Sequence, residues 1–274
     1  MSAPSGGFTA ESSAISVSEL EAALANDEFQ TYIQFVYDVR RDCFVGVEAL
    51  SRWMHPERGL IFPGQYIGTL FSSGLISRLD YQMLEKSCRL LEAWNDSGLC
   101  KLRLSCNFAR VTLGSPEFFP KFLEIVGNYR FDYDNLILEL TEDSLSDRPD
   151  LVLENVISCK EMGFRVALDD LGAGCTSFND LCDFPLDVIK VDRHIVQRAV
   201  TSRGRSFLRE LIKLAHHLGI GVICEGVETE DERAAVRDAG CDYVQGFFYS
   251  RALPVDRAME EYRRQLPDPS RDSH

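Results

Sequence analysis

Apolar residues fall into short runs that alternate, over most of the chain, with segments of helical periodicity. The runs that predict β-strands cover residues 29–36, 44–50, 102–108, 136–140, 165–168, 188–191, 221–224 and 243–247. Helical spacing of apolar residues covers 79–94, 118–129, 151–162, 205–218 and 230–239, and Ser18 is a candidate cap for a first helix at 19–26. The order of these segments therefore predicts an α/β fold.

Eight strands that alternate with helices favour a closed (β/α)8 TIM-like barrel with a mostly parallel sheet. The connection between the first two strands, residues 37–43, is too short for a crossover helix, so these strands should pair antiparallel. An open doubly wound sheet is the structural alternative.

The predicted domain covers residues 19–264. Residues 1–18 are rich in Ser, Ala and Gly, and residues 265–274 are rich in Pro, Asp, Ser and Arg, so both read as disordered tails. No linker or repeat interrupts the middle. The 274 residues, 45% of them hydrophobic, suit a single large domain.

Charge and cysteine usage narrow the class of protein. Forty-three acidic residues against 29 Lys and Arg give a net charge of -14, which argues against binding a DNA or RNA duplex. No apolar run is long enough to span a bilayer, and the start lacks a signal sequence, so we expect no membrane association and a cytoplasmic protein. Nine cysteines without a Cys-x-x-Cys pair indicate reduced thiols.

Most of the predicted strands end in, or run into, polar residues that a buried strand does not need. They are Glu48, Asn107, Glu139, Asp169, Asp170, Lys190, Asp192, Glu225 and Gln245. Any one of them could simply cap the next helix. Because the C-terminal strand ends of a (β/α) barrel surround one mouth, the whole set favours an active site there.

Five of these residues offer only oxygen ligands: Glu48, Asn107, Glu139, Asp169 and Asp170. Such ligands select Mg²⁺ or Mn²⁺ rather than zinc. The adjacent pair Asp169 and Asp170 could serve two ions, the arrangement used to hydrolyse phosphate esters.

The remaining polar residues have predicted roles beside the ions. Lys190 could hold the attacking water or neutralise developing charge, and Glu225 could act as a general base, with Gln245 bound to a water. Asp192 could act directly or form an ion pair with Lys190. Arg52 could grip a substrate phosphate, or stack on the surface beside Trp53.

These residues lie in motifs that resemble, in order, those of the EAL-domain cyclic di-GMP phosphodiesterases. The motifs span residues 48–53, 105–107, 138–142, 169–174, 189–192, 225–229 and 245–246, and the resemblance covers about 29–254. It implies a modified barrel with one antiparallel strand and hydrolysis of cyclic di-GMP to linear pGpG.

The resemblance also implies roles for single residues. Glu48, Asn107, Glu139, Asp169 and Asp170 would bind the metal ions. Lys190 and Glu225 would position or activate the water, Arg52 would contact substrate phosphate, and Gln245 would lie beside the site. Glu142 would tether the loop that follows Asp170. A homodimer is implied as well.

The chain departs from the family at residues 34–35, 70–71 and 173–177. Leu70 and Phe71 are expected to offer an apolar contact to a regulatory protein partner. Two other functions are open: a catalytically silent EAL domain that binds cyclic di-GMP or a protein, and an enolase-like barrel acting on a carboxylate substrate.

Overall fold

The structure, a computed structural model, describes residues 15–97, 102–141, 149–173 and 178–265. Its strands are β1 (Phe29–Asp38), β2 (Cys43–His55), β3 (Gly59–Ile61), β4 (Arg103–Asn107), β5 (Leu136–Thr141), β6 (Arg165–Leu171), β7 (Val188–Val191), β8 (Gly221–Cys224), β9 (Tyr243–Val244) and β10 (Leu253–Pro254). Its α-helices are α1 (Val17–Ala25), α2 (Ile67–Ser72), α3 (Ile76–Asp96), α4 (Arg110–Leu113), α5 (Phe118–Val126), α6 (Pro149–Glu161), α7 (Phe178–Asp183), α8 (Arg193–Arg198), α9 (Ser202–His217), α10 (Glu230–Ala239) and α11 (Val255–Gln265).

Within the described ranges, eight strands close into a barrel in the order β1, β2, β4, β5, β6, β7, β8, β9, and β9 returns to β1. Strand β1 is antiparallel to both neighbours, and the other six contacts around the barrel are parallel. The predicted barrel with one antiparallel strand is confirmed, and the open doubly wound alternative is wrong. The short strands β3 and β10 extend β2 and β1.

Helices cover the outer face of the barrel with one apolar side each. On α3, Leu84, Cys88 and Leu91 follow the helical repeat and are buried against the barrel. Leu104 and Cys106 point from β4 into the same layer, so the alternate residues of β4 face the barrel interior. No helix in the described part of the chain is long and apolar enough to cross a bilayer.

Helix α1 begins earlier than the sequence suggested. Its cap is Ser16 rather than Ser18, because the Ser16 hydroxyl accepts from Glu19 N–H while the Glu19 carboxylate accepts from Ser16 N–H. Residues 15–18 therefore belong to the described structure. The predicted limits of the domain and its tails otherwise stay a prediction.

The last barrel strand is shorter than the predicted segment 243–247. Strand β9 ends at Val244, and Gly246 then passes so close to Val227 that a Cβ at Gly246 would lie 2.2 Å from the Val227 carbonyl oxygen. The backbone has left the sheet at this point, and Phe247 is exposed.

Leu70 does not offer the expected contact to a partner. It is fully buried, because α2 turns it toward the core. Its neighbour Phe71 remains partly exposed and lies under the guanidinium of Arg110, at 5.2 Å from the ring centre.

Candidate active site

The polar residues predicted at the strand ends meet at one mouth of the barrel, and Lys190 lies at their centre. Its Nζ is 2.9 Å from Glu225 Oε1, 3.1 Å from Asp169 Oδ1, and 3.2 Å from both Glu48 Oε2 and Glu139 Oε2. The four carboxylates come from β2, β5, β6 and the residue after β8. Side chains far apart in the sequence therefore form one charged cluster.

Lys190 is the counter-charge of this cluster. The side chain is 1% exposed, and burial alone would lower its pKa. The surrounding carboxylates outweigh burial and hold the pKa of Lys190 well above its usual value. Lys190 is therefore a permanent cation.

The carboxylates respond unequally to burial. Burial raises the pKa of Glu139 well above its usual range, with Lys190 opposing the shift and neighbouring carboxylates adding to it. Burial likewise raises the pKa of Glu225 to about 8 and that of Asp170 to about 6. For Glu48, Lys190 and hydrogen bonds overcome burial and lower the pKa. The charge of Lys190 is therefore too small to stabilise all of these carboxylates in their ionised form.

Two amides hold Glu48 in place. Asn107 Nδ2 donates to Glu48 Oε1 at 2.8 Å, and Gln245 Nε2 donates to Glu48 Oε2 at 2.6 Å. Because Asn107 donates through its nitrogen, its Oδ1 is the atom free to act as an oxygen ligand. Gln245 Oε1 is buried and has no hydrogen-bond donor among the described residues, so it could accept from a bound water or ligand.

Asp169 and Asp170 both serve the mouth although they are adjacent in the chain. In a regular strand their side chains would point to opposite faces. Here Asp170 has a φ of 59°, and the pairing of β6 with β7 shifts register between Leu168 and Leu171. This break in the strand brings Asp170 to the same side as Asp169.

The site contains two groups of side chains that could each hold a metal ion. Ligand oxygens lie within 4.8 Å of one another in two groups, one of Glu48, Glu139 and Asp169, the other of Asp169, Asp170 and Glu225. Asp169 belongs to both groups. Five carboxylates against one ammonium leave a formal excess of four negative charges, which two divalent ions would balance.

Arg52 lies at the rim, half buried. Its guanidinium is 5.6 Å from the ring centre of Tyr32 and 5.3 Å from that of Phe62, and Nη1 donates to the Ser51 carbonyl. Burial lowers its pKa while Tyr66, Tyr32 and Glu48 act against this. Arg52 does stack, but on these rings rather than on Trp53, which is buried.

Asp192 does not join the cluster around Lys190. Asp192 caps α8, accepting from the backbone N–H of His194 at 2.8 Å and contacting the His194 ring at 2.7 Å. The anticipated ion pair between Asp192 and Lys190 is not among the contacts of either residue. Glu142 and residues 174–177 of the loop after Asp170 lie outside the described residues.

The sequence prediction missed two residues of the site. Gln34 pairs in register with Glu48 across β1 and β2, and its Oε1 lies 3.4 Å from Gln245 Nε2. Ser105 hydrogen-bonds Glu139 and so opposes part of the rise that burial causes in the pKa of that acid. Strand alternation was the available signal, since Ser105 is two residues from Asn107 and therefore faces the interior.

Comparisons with known proteins point to one family. The EAL domain model matches residues 17–252. The chain is 30% identical over 246 residues to the cyclic di-GMP phosphodiesterase RocR of Pseudomonas aeruginosa, which covers 89% of this chain and 62% of RocR. It is 32% identical over 252 residues to the cyclic di-GMP phosphodiesterase PdeR of Escherichia coli, covering 90% and 37%. The chain thus spans less than two thirds of these relatives.

Solved structures share the fold. The PaMucR phosphodiesterase in its c-di-GMP complex is 27% identical, with a TM-score of 0.83 over 88% of this chain and 98% of that one. The EAL domain of Xanthomonas citri FimX in complex with c-diGMP is 22% identical, with a TM-score of 0.80 over 87% and 93%. The FimX likeness concerns the fold alone.

Proposed function

This chain belongs to the EAL domain family, and on that premise we propose that it hydrolyses cyclic di-GMP to linear pGpG in a metal-dependent reaction. The observation that carries the proposal is the presence of two clusters of three acidic side chains each, with Asp169 common to both. Such a pair suits the two-ion hydrolysis of a phosphate diester. RocR and PdeR, both named cyclic di-GMP phosphodiesterases, supply the substrate class.

The proposed cofactor is two ions of Mg²⁺ or Mn²⁺. Glu48, Asn107, Glu139, Asp169 and Asp170 would hold them, each through an oxygen atom. When bound, the ions supply the positive charge that stabilises both the attacking and the leaving oxygen. Glu48 and Asp169 would act in catalysis because they would hold the ions in contact with the substrate.

The chain's own side chains do the remaining work. Lys190 and Glu225, in direct contact at 2.9 Å, would both hydrogen-bond the attacking water, with the ammonium donating to its oxygen and the carboxylate accepting its proton. Arg52, fixed by two aromatic rings, would donate to a phosphate of the substrate. Gln245 would bind the substrate or a water through Oε1, which no described residue satisfies, and Asp192 would shape the substrate side of the mouth.

A role as a silent receptor is the second function compatible with the family. The carboxylate cluster favours the enzyme, because a receptor needs no two-ion site to bind a dinucleotide. An enolase-like reaction has only the barrel and the acids in its favour. The proposal extends to a homodimer, which the family resemblance supports and which light scattering tests. It also extends to a cytoplasmic location and to a protein regulator.

The direct test compares the wild type with Glu48→Gln on cyclic di-GMP and follows pGpG by chromatography. The loss of a ligand should lower the rate at least about 100-fold, since metal ions contribute several kcal/mol to such transition states. Glu210→Gln, on the exposed face of α9, is the matched control and should keep the wild-type rate. Equal rates for wild type and Glu48→Gln would contradict the proposal, and tight binding without product would favour the receptor.

A further inference from the structure

The barrel interior contains a cavity of about 240 Å³ between Glu139 and the N-terminal ends of the parallel strands, at the end away from the mouth. Barrels of this class usually fill that space with layers of bulky branched side chains. Here four inward-facing positions, on β2, β4, β6 and β8, carry small residues: Gly46, Ser105, Ala167 and Gly221. The space exists because these side chains are too short to fill it.

The walls of the cavity are mainly apolar. Val36, Val188 and Ile223 line it and belong to a buried cluster separate from the core between barrel and helices. An apolar cavity of about 150 Å³ is large enough to bind benzene. The cavity in this barrel is therefore large enough for a single aromatic ring with a substituent.

The open end of the cavity carries excess positive charge. Arg103 and Arg165 both line it and share one carboxylate, Asp134, at 3.1 and 2.7 Å. Asp187, which also lines the cavity, is already paired with Lys160 at 2.6 Å. Among these five residues, three cations face two carboxylates, which leaves one positive charge without a counter-charge.

One donor at this end is left unsatisfied by the described part of the chain. The Nε–H of Arg103 is buried and has no acceptor among the described residues. A buried donor without an acceptor is destabilising, so an acceptor group beside it would stabilise the complex. Apolar walls with a cationic donor at the entrance suit an apolar body that carries one carboxylate.

We propose that this cavity is a second ligand site, which binds a small aromatic carboxylate with its ring among Val36, Val188 and Ile223 and its carboxylate on Arg103. The site lies at the N-terminal ends of the parallel strands, opposite the mouth. Glu139 and Ser105 line its inner end, so an occupant would touch the underside of the acidic cluster.

Thermal unfolding of the full chain with benzoate as the probe tests the site. EDTA is present throughout, so that the carboxylate cannot bind an ion at the mouth. At ten times its dissociation constant, benzoate should raise the unfolding midpoint by about 3–6 °C. Toluene, which has the ring without the charge, should raise it less at the same free concentration. No rise with benzoate, or an equal rise with toluene at the same free concentration, would overturn the proposal.

Two variants locate the binding. A Cβ at Gly221 would meet Tyr243 and Val188 at 3.7 and 3.9 Å, which are ordinary contacts, so Gly221→Leu can extend into the cavity and occupy the space of the ring. The benzoate shift should disappear in Gly221→Leu, and a retained shift would place benzoate elsewhere. Arg103→Gln removes the guanidinium without filling the cavity. This variant should lose the preference for benzoate over toluene. If Gly221→Leu does not fold, this loss alone decides whether the carboxylate of benzoate binds at Arg103.

Discussion

Lys190 Nζ lies 2.9 Å from Glu225 Oε1, and both side chains are largely buried at the mouth of the barrel. The ammonium also contacts carboxylates from three other strands, so it is shared among more acids than one cation can neutralise. This imbalance links the stability of the metal-free protein to its function. The excess of negative charge that destabilises the metal-free protein is the same charge that would bind divalent ions.

Removing the central cation should therefore destabilise the metal-free protein. Lys190→Met leaves buried carboxylates without their counter-charge, and the expected loss is about 3–5 kcal/mol in the free energy of unfolding. Urea unfolding in EDTA measures it, and Mg²⁺ or Mn²⁺ should restore part of the loss. Lys213→Met, which removes an exposed pair with Glu210, is the control and should change stability little. Equal stability of the two variants would contradict the account.

The two clusters of acidic side chains that share Asp169 predict the number of bound ions. Asp170 belongs to only one group, so Asp170→Asn should bind one Mn²⁺ where the wild type binds two. Titration calorimetry counts the ions. The control is Asp192→Asn, which lies nearby but caps α8 and belongs to neither group, and it should still bind two ions. Two ions in Asp170→Asn would show that the second group is not an ion site.

Arg52 should matter for substrate binding more than for turnover. Arg52→Lys keeps the charge but loses the planar fork and the stacking on Tyr32 and Phe62. We expect KM for cyclic di-GMP to rise about 10- to 100-fold, with kcat changed much less. Steady-state kinetics separate the two parameters. A lower kcat with an unchanged KM would place Arg52 in the chemical step instead.

Asp80 on α3 should make stability depend on pH. Its Oδ2 accepts from Ala109 N–H at 2.9 Å and from Thr112 Oγ1 at 2.5 Å, but burial outweighs these bonds and raises its pKa from 3.8 to about 7. Between these values the folded state binds more protons than the unfolded state, so the free energy of unfolding falls as pH rises.

Asp80→Asn cannot ionise and should lack this dependence. From pH 5 to pH 8 the wild type should lose about 2–3 kcal/mol relative to Asp80→Asn, and the effect ends above the folded pKa. Urea unfolding of both proteins at the two pH values measures the difference. Parallel behaviour of the two proteins across this range would show that Asp80 is ionised throughout.

Strand alternation allowed much of the site to be predicted from the sequence. Parallel strands end at the same edge, so polar residues such as Glu139 and Glu225 at those ends had to converge. The rule fails where a residue leaves the strand. Asp192 follows β7 at the entry to α8, and there its carboxylate binds the helix N-terminus instead of Lys190.

Other features could not be anticipated because they depend on tertiary packing. Gln34 lies within the one antiparallel strand, so it reaches the mouth without being at a strand end. The position of Asp170 depends on a backbone angle that its sequence does not encode in an obvious way. The cavity beside Glu139 arises from small residues on four different strands, and these residues come together only in the closed barrel.

The most direct test of the central claim is hydrolysis of cyclic di-GMP by the purified protein with Mg²⁺, with Mn²⁺ and with EDTA, followed by chromatography of pGpG. The acidic cluster predicts that pGpG forms with at least one of the two ions and that EDTA abolishes it. Product that forms at the same rate in EDTA, or cyclic di-GMP that binds and stays intact with both ions, would contradict the account.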